Sequence, residues 1–443
     1  MIVYSPSLRK VTTVGGKNGI ALGNAVGMAT GTNRCRFPSC QFYCVNWRLA
    51  PKDCFVLLSF SVAGYRSLFE LRLPLAQLNV ITGPNGCGKS NLYRSLQLIS
   101  ELSEGRMNQA FAREGGFHSS LWAGPEKVSR EMEDGSLAVQ GTRRKSPVRM
   151  LLGFSGDSFS YAVDLGLAAG CDPFPLDPLV KGEWIWQGSS SDNAALCVRR
   201  KNEIIEYRNR SGRWTKAALP ISQQCSILSE FLDPENAPEI ILLRDYVSGW
   251  RFYDSFNCHV ESPIRRPQTE RYSPVLSSDG HDLAPALATV FRIGDGPRLQ
   301  EIFQQAFPET TLELSGGNDV GISVGIRQKG MLRPLGTPEL SDGTLRFICL
   351  LTALFTPRPP ELMVLNEPET SLHPDVIPAL AELILHYAVE QQIIVVTHSQ
   401  ILSEFLRRSP QSELFALDKK FGRTVLTNSD GDDMLLRPSW PKR

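Results

Sequence analysis

The sequence predicts an α/β protein: a mixed sheet with helices on both faces, its core interrupted by a long α+β insertion. Three observations carry this. A glycine-rich loop, Gly83-Pro-Asn-Gly-Cys-Gly-Lys-Ser90, follows a short apolar run, Leu78–Thr82, and precedes a helical pattern. A second apolar run, Leu362–Leu365, ends in Asn366-Glu367, and a third, Ile393–Thr397, ends in His398. Continuous apolar strands alternating with amphipathic helices read as a parallel sheet covered on both faces.

Composition sets the outer bounds. The chain has 443 residues, 42% hydrophobic and 21% charged. That is ordinary for a soluble globular protein and enough for a large core and one to three domains. A net charge of +1 means that any basic surface is local. No apolar run reaches the roughly 18 residues that span a bilayer, so a cytoplasmic protein with no membrane partner is expected. Ten cysteines are scattered without a disulfide framework. Cys35, Cys40, Cys44 and Cys54 cluster, but their spacing matches no zinc pattern, and they read as free thiols. The first 52 residues hold seven Lys or Arg and no Asp or Glu. Residues 1–53 are therefore read as a disordered extension rather than a transit peptide.

Regular structure is expected from Phe55. Phe55–Val62 and Phe69–Leu73 have strand character, and Leu78–Thr82 is a short buried strand. Leu92, Leu96 and Ile99, at i, i+4 and i+7, mark one face of the helix after the glycine loop. Residues 106–334 form the insertion. Within it, Val148–Phe154 and Phe159–Leu165 make a hairpin around Ser-Gly-Asp-Ser. A second hairpin joins Ala195–Tyr207 to Arg213–Leu219 through Asn209-Arg-Ser-Gly212. Residues 220–310 read as mostly helical, with Glu301–Ala306 one helix and a Pro-rich loop at 263–274. No heptad pattern lasts long enough for a coiled-coil arm. Beyond 339 come a helix at Arg346–Phe355, the strand at Leu362–Leu365, and a helix at Val376–Val389 with Leu380, Leu383, Ile384 and Tyr387 inward. The strand at Ile393–Thr397 and a helix at Ile401–Arg407 follow. The core is thus split into 54–105 and 335–425, and 426–443 is a tail.

The motifs carry specific chemistry. Gly83-x4-Gly88-Lys89-Ser90 is a complete phosphate-loop motif in strand–loop–helix context. Gly83, Pro84, Asn85, Gly86, Cys87 and Gly88 are the candidate cradle, because glycines let backbone N–H groups turn toward phosphate oxygens. The helix that starts with Lys89, Ser90 and Asn91 points its positive end at the same anion. Lys89 would reach the outer phosphates and Ser90 would bind magnesium. Glu367 suits the base that orients and deprotonates the attacking water. Asn366 stands at a metal-holding position where Asp is usual; it can accept a hydrogen bond from a magnesium-bound water but brings no charge. Read blandly, the segment is a buried strand ending in a polar turn. Ser341 is a good N-cap, and Gly343 would keep that helix N-terminus open to an anion. His398 follows Glu367 by one helix and one strand, so neighbouring strands would bring the two together near a γ-phosphate.

In this order the motifs resemble the ATP-binding-cassette superfamily, specifically its RecF/SMC-like branch of stand-alone AAA-family ATPases. Ser341-Asp-Gly-Thr344 looks like the signature and Ser371-Leu-His-Pro374 like the D-loop. The stretch Asn366-Glu-Pro-Glu-Thr-Ser-Leu-His-Pro374 is similar to that of predicted ATPases related to the OLD family. Gly64-Tyr-Arg-Ser67 looks like the branch's F-R-S entry, which places Arg66 at the nucleotide. The resemblance implies a P-loop NTPase of ABC/SMC-head type that uses ATP and Mg2+. It also implies an ATP-dependent homodimer, in which Ser341 and Gly343 of one protomer meet the γ-phosphate held by Lys89 of the other. The family's Q-loop glutamine has no secure place; Gln140, at the end of Ser136–Gln140, is the candidate. Asn366 departs from the family's Asp, and the OLD family's Toprim nuclease part is expected to be absent.

Two functions fit. One is an ATPase acting on DNA in repair or in defence against foreign DNA, to which Arg199-Arg-Lys201 with Arg208, Arg210 and Arg213 would add a basic surface. The other, motivated by Asn366, is an ATP-gated module with little hydrolysis that signals to a partner protein. A transporter subunit is disfavoured by the long insertion and the Ser-Asp-Gly-Thr signature.

Overall fold

Six strands form the central sheet, and their order explains where chemistry can occur. The computed structural model describes residues 55–427 and 440, except 128, 139, 141–144, 148, 169–173, 190–191 and 318–319. The expected extension at 1–53, the cysteines Cys35, Cys40, Cys44 and Cys54, and most of the tail at 426–443 lie outside the described residues.

In chain order, β1 (Leu57–Tyr65) and β2 (Leu68–Pro74) form a hairpin, and β3 (Leu78–Thr82) leads through the glycine loop into α1 (Lys89–Ser103). Leu92, Leu96 and Ile99 of α1 are buried. Three short helices follow, α2 (Met107–Arg113), α3 (Phe117–Ser120) and α4 (Arg130–Glu133). Then come β4 (Met150–Gly156), β5 (Phe159–Leu167), β6 (Pro178–Gln187), β7 (Leu196–Lys201), β8 (Ile204–Arg208) and β9 (Trp214–Lys216). Next are α5 (Ile227–Glu230), α6 (Pro238–Ser248), β10 (Arg251–Tyr253), α7 (Leu283–Ile293) and α8 (Gly296–Ala306). A small antiparallel sheet of β11 (Thr310–Gly317), β12 (Gly321–Gln328) and β13 (Leu335–Gly336) precedes α9 (Asp342–Leu354). The last described elements are β14 (Leu362–Asn366), α10 (Ile377–Tyr387), β15 (Gln392–Val396), α11 (Gln400–Arg407), β16 (Ser412–Lys420) and β17 (Arg423–Leu426).

The central sheet runs β10-β14-β15-β3-β16-β17, parallel throughout except for β17. Its inner strands β3, β14 and β15 are buried on both faces, as the unbroken apolar runs of β14 and β15 require. Side chains alternate between two cores: Leu362 and Val364 enter one, Met363 and Leu365 the other. The first core lies against α1, α6 and a second sheet; the other against α7 to α11. Val396 pairs with both Asn366 and Ile81, so the C-terminal tips of β14, β15 and β3 share one edge. Ligands of open parallel sheets bind at such an edge.

The insertion departs from expectation in its strands. β4 to β9 continue β1 and β2 in one eight-stranded antiparallel sheet, order β2-β1-β4-β5-β6-β7-β8-β9. The expected strand Ala195–Tyr207 breaks into β7 and β8 at Asn202, whose φ of 53° permits a tight turn. β6 was hidden by Lys181, Gly182 and Glu183, which interrupt its apolar pattern although Glu183 is fully buried. β10 has three residues and lies in a stretch that reads as helix. Among the described residues, no helix is long and apolar enough to cross a membrane.

Candidate nucleotide-binding site

The glycine loop is braced from behind. Gly88, the N-cap of α1, has φ 113°, and a Cβ there would stand 2.1 Å from Thr424 Oγ1. Only glycine fits. Thr424 donates its hydroxyl to Cys87 O (2.6 Å), Ser67 Oγ lies 2.7 Å from Thr424 Oγ1, and Asn91 Nδ2 donates to Ser67 Oγ (2.8 Å). This relay fixes the loop and occupies Asn91 and Cys87 away from the outer face. Pro84, Asn85, Gly86 and Ser90 are exposed on that face. Lys89 is buried, and its ammonium donates to Gly83 O (2.7 Å) and Pro84 O (3.2 Å), so it lies folded over the loop.

At the neighbouring strand tips, Glu367 has a left-handed backbone (φ 46°) and donates its N–H to Val396 O (2.7 Å). Non-glycine residues in that region concentrate at functional sites. His398 Nδ1 lies 3.5 Å from Glu367 Oε1 and 3.7 Å from Glu369 Oε1. Glu369 is buried, and its Oε1 accepts from Thr397 Oγ1 (2.6 Å) and from the N–H groups of His398 and Ser399 (3.2 Å each). That carboxylate therefore sets the backbone on which His398 sits. Asn366 is buried, donates Nδ2 to Asp254 Oδ1 (2.6 Å), and has an Oδ1 with no partner. Arg346 of α9 clamps both tips, donating to Asp254 O (2.9 Å) and Glu367 O (3.1 Å).

The signature segment is equally organised. Ser341 caps α9 by accepting from Thr344 N (3.1 Å). Buried Arg265 donates to Thr337 O (2.6 Å), Leu340 O (2.8 Å) and Cys258 O (2.9 Å), and pairs with Asp342 Oδ1 (2.6 Å). A Cβ on Gly343 would lie 2.4 Å from Ser371 O, so the signature and the D-loop of one chain touch at this glycine.

A family model described as "AAA domain, putative AbiEii toxin, Type IV TA system" matches residues 78–177 and 208–404, well over half of the chain. The chain belongs to this AAA-domain family. Its fold is that of an ATP-binding ATPase domain. No curated protein matches. Among solved structures it is similar to an SMC head bound to the C-terminal winged-helix domain of ScpA. Identity is 14% and TM-score 0.45, over 84% of this chain and 97% of that one. It is also similar to the Pyrococcus furiosus Smc head with an extended coiled coil (12%, 0.45, 84% and 96%) and to the Thermotoga maritima SMC head (14%, 0.38, 84% and 98%). Membership rests on the sequence match, not on these overall likenesses.

Within this AAA-domain chain the structure draws together Gly83 to Ser90, Asn366, Glu367 and His398 at one sheet edge. Arg66 sits in the β1–β2 turn, where Glu114 holds its guanidinium (3.0 Å); the two residues line a cavity of about 320 Å3. Gln140 is exposed in a turn, and the strand flanking β14 is β10, which ends at Tyr253, one residue before Asp254. The basic hairpin needs correcting. Arg200 is fully buried against Glu183 (2.8 Å) and serves the fold, while Lys201, Arg210 and Arg213 are exposed. Arg199 and Arg208 lie over the Trp214 ring at 4.4 and 5.1 Å.

Sequence reasoning missed Ser67, Asp254, Arg265, Arg346, Glu369 and Thr424. Asp254 carried no local signal; Glu369 lay inside the motif but was not separated from Glu367. Among the described residues, no three His, Cys, Asp or Glu side chains cluster to hold a metal ion alone. The unpartnered Asn366 Oδ1 and the exposed Ser90 hydroxyl are the groups here that could accept from a magnesium ion's waters or ligate the ion.

Proposed function

We propose that the protein binds ATP with magnesium at the glycine loop and hydrolyses it within an ATP-sandwiched homodimer that acts on DNA. The observation that carries this is Glu367, held in a left-handed conformation at the shared strand edge, 3.5 Å from His398 and level with the strand that feeds the glycine loop. Gly83 to Gly88, with Lys89, would hold the phosphates. Ser90 and Asn366 would face magnesium, which when bound neutralises phosphate charge. Glu367 orients and deprotonates water, and His398 lies where it can donate to a phosphate oxygen. The exposed, Ser341-capped start of α9 is a ready anion site for the partner's nucleotide. Light scattering of Glu367→Gln with and without ATP and magnesium tests the sandwich. A dimer only with nucleotide is expected; a monomer under both conditions refutes it.

For DNA, the exposed Lys201, Arg210 and Arg213 would provide phosphate contacts. Binding that steepens as salt falls is expected, and no binding at low salt removes DNA from the reading. The uncharged Asn366 supports a second reading, an ATP-gated module that signals to a partner protein. If neither the parent nor Glu367→Gln releases phosphate, that reading replaces hydrolysis.

A further inference from the structure

Asn366, which stands where the family's Asp is usual, also carries a buried side-chain oxygen without a hydrogen-bond partner. We infer that Asp254 supplies the negative charge that Asn366 lacks, the carboxylate and the amide of one metal-facing pair having exchanged strands. This rests on the ATP–magnesium reading above and deepens it.

The placement comes from register. β10 runs parallel to β14, with Phe252 opposite Val364 and Tyr253 opposite Leu365. Asp254 is therefore next in line opposite Asn366, at the same edge as Glu367 and the glycine loop. Phe252 also packs edge-on against Tyr93 (5.7 Å), on the helix that begins with Lys89 and Ser90. β10 is thus tied to the phosphate-loop helix as well as to β14.

The orientation follows from donor and acceptor chemistry. An ionised carboxylate only accepts, so Asn366 must present its NH2 to Asp254 Oδ1, at 2.6 Å. That turns Asn366 Oδ1 the other way, buried and without a donor. A buried oxygen left unpaired costs about 1–3 kcal/mol, and a metal-bound water is a donor that would remove the cost. Asp254 itself is exposed, so its carboxylate is not consumed by burial. Arg346, the nearby cation, donates to the main-chain carbonyls of Asp254 and Glu367 rather than to their side chains. It holds the two tips in register and leaves the acids to face the site.

The arrangement also explains why the common Asp is missing. With Asp254 in place, an Asp at 366 would set two carboxylates at hydrogen-bond distance, and like charges so close do not both ionise. One acid and one amide, on either strand, give a single charge and a fixed hydrogen bond.

The test is a charge-swap cycle on the full chain: Asp254→Asn, Asn366→Asp, and the double variant. Each is titrated with magnesium while a fluorescent ATP analogue reports binding. Manganese paramagnetic resonance counts bound metal independently. Asp254→Asn is expected to raise the magnesium needed for half-saturation by roughly 10- to 100-fold. Asn366→Asp alone also weakens binding, and the double variant restores it toward the parent. Melting curves check that each variant folds, with Asp254→Ser as the substitute if the Asn variant does not. Unchanged magnesium dependence in Asp254→Asn, or a double variant no better than the singles, overturns the inference while the parent still binds. A parent that binds no nucleotide with magnesium overturns the ATP–magnesium reading itself, and the inference with it.

Discussion

Gly343→Ala probes the contact between signature and D-loop. A Cβ at this position would stand 2.4 Å from the Ser371 carbonyl oxygen, whereas ordinary contact begins near 3.4 Å. The two backbones must part by about 1 Å. Neither can yield freely. The start of α9 is pinned by three Arg265 contacts, and Ser371 already holds a left-handed φ of 66°. Forcing one methyl into such packing costs about 1–3 kcal/mol, too little to unfold the domain. The functional loss is larger, because a displacement of about 1 Å at a catalytic constellation can lower turnover about 100-fold. The assay pairs phosphate release with light scattering in ATP and magnesium, beside a melting curve. A folded protein with turnover down about 100-fold and a weakened nucleotide-dependent dimer is expected. Parent-like turnover and dimerisation in Gly343→Ala would refute the claim that this contact sets the composite site.

Two further outcomes separate fold from function. Arg200→Met removes the countercharge of fully buried Glu183, which also accepts from Tyr161, Ser226 and Ile227, and should lower stability by about 3–5 kcal/mol in urea unfolding; Arg213→Ser should leave stability unchanged and lower the salt slope of DNA binding by about one. An unchanged urea midpoint in Arg200→Met would show that the ion pair is not structural. Thr424→Val strips the donor from Cys87 O and should weaken ATP binding by about 1 kcal/mol, roughly fivefold, in a fluorescence titration. Parent-like affinity would mean the brace does not shape the loop.

The parts of the fold legible in the sequence were those with local signals. β3, α1, β14, α10 and β15 carry their own apolar periodicity, and the phosphate loop is a contiguous motif. The insertion was less legible because its sheet is assembled from non-local pairing. β6 conceals itself behind Glu183, whose charge is satisfied by Arg200 on β7. Binary patterning counts such a residue as surface. The same pair shows why a run of arginines overstated the basic face: one of three neighbouring cations points into the core.

The site follows the same rule. The residues proposed to hold phosphate lie in motifs, whereas those that position them arrive from far away: Thr424 meets Ser67 across 357 positions, and Arg265 meets Leu340 across 75. The resemblance calls for a glutamine between loop and signature, and sequence spacing does not say which segment ends beside β14. The strand beside β14 is β10, and the residue after it, Asp254, accepts a hydrogen bond from Asn366. Asn366 then need not mark a decayed metal site. A substitution that removes a charge on one strand is compensated when the neighbouring strand tip carries one, and the pair's total charge, rather than either residue alone, is what the magnesium of a nucleotide would meet. On that argument the choice between ATPase and inert clamp turns on Asp254 and Asn366 together, and varying Asn366 alone would misjudge it.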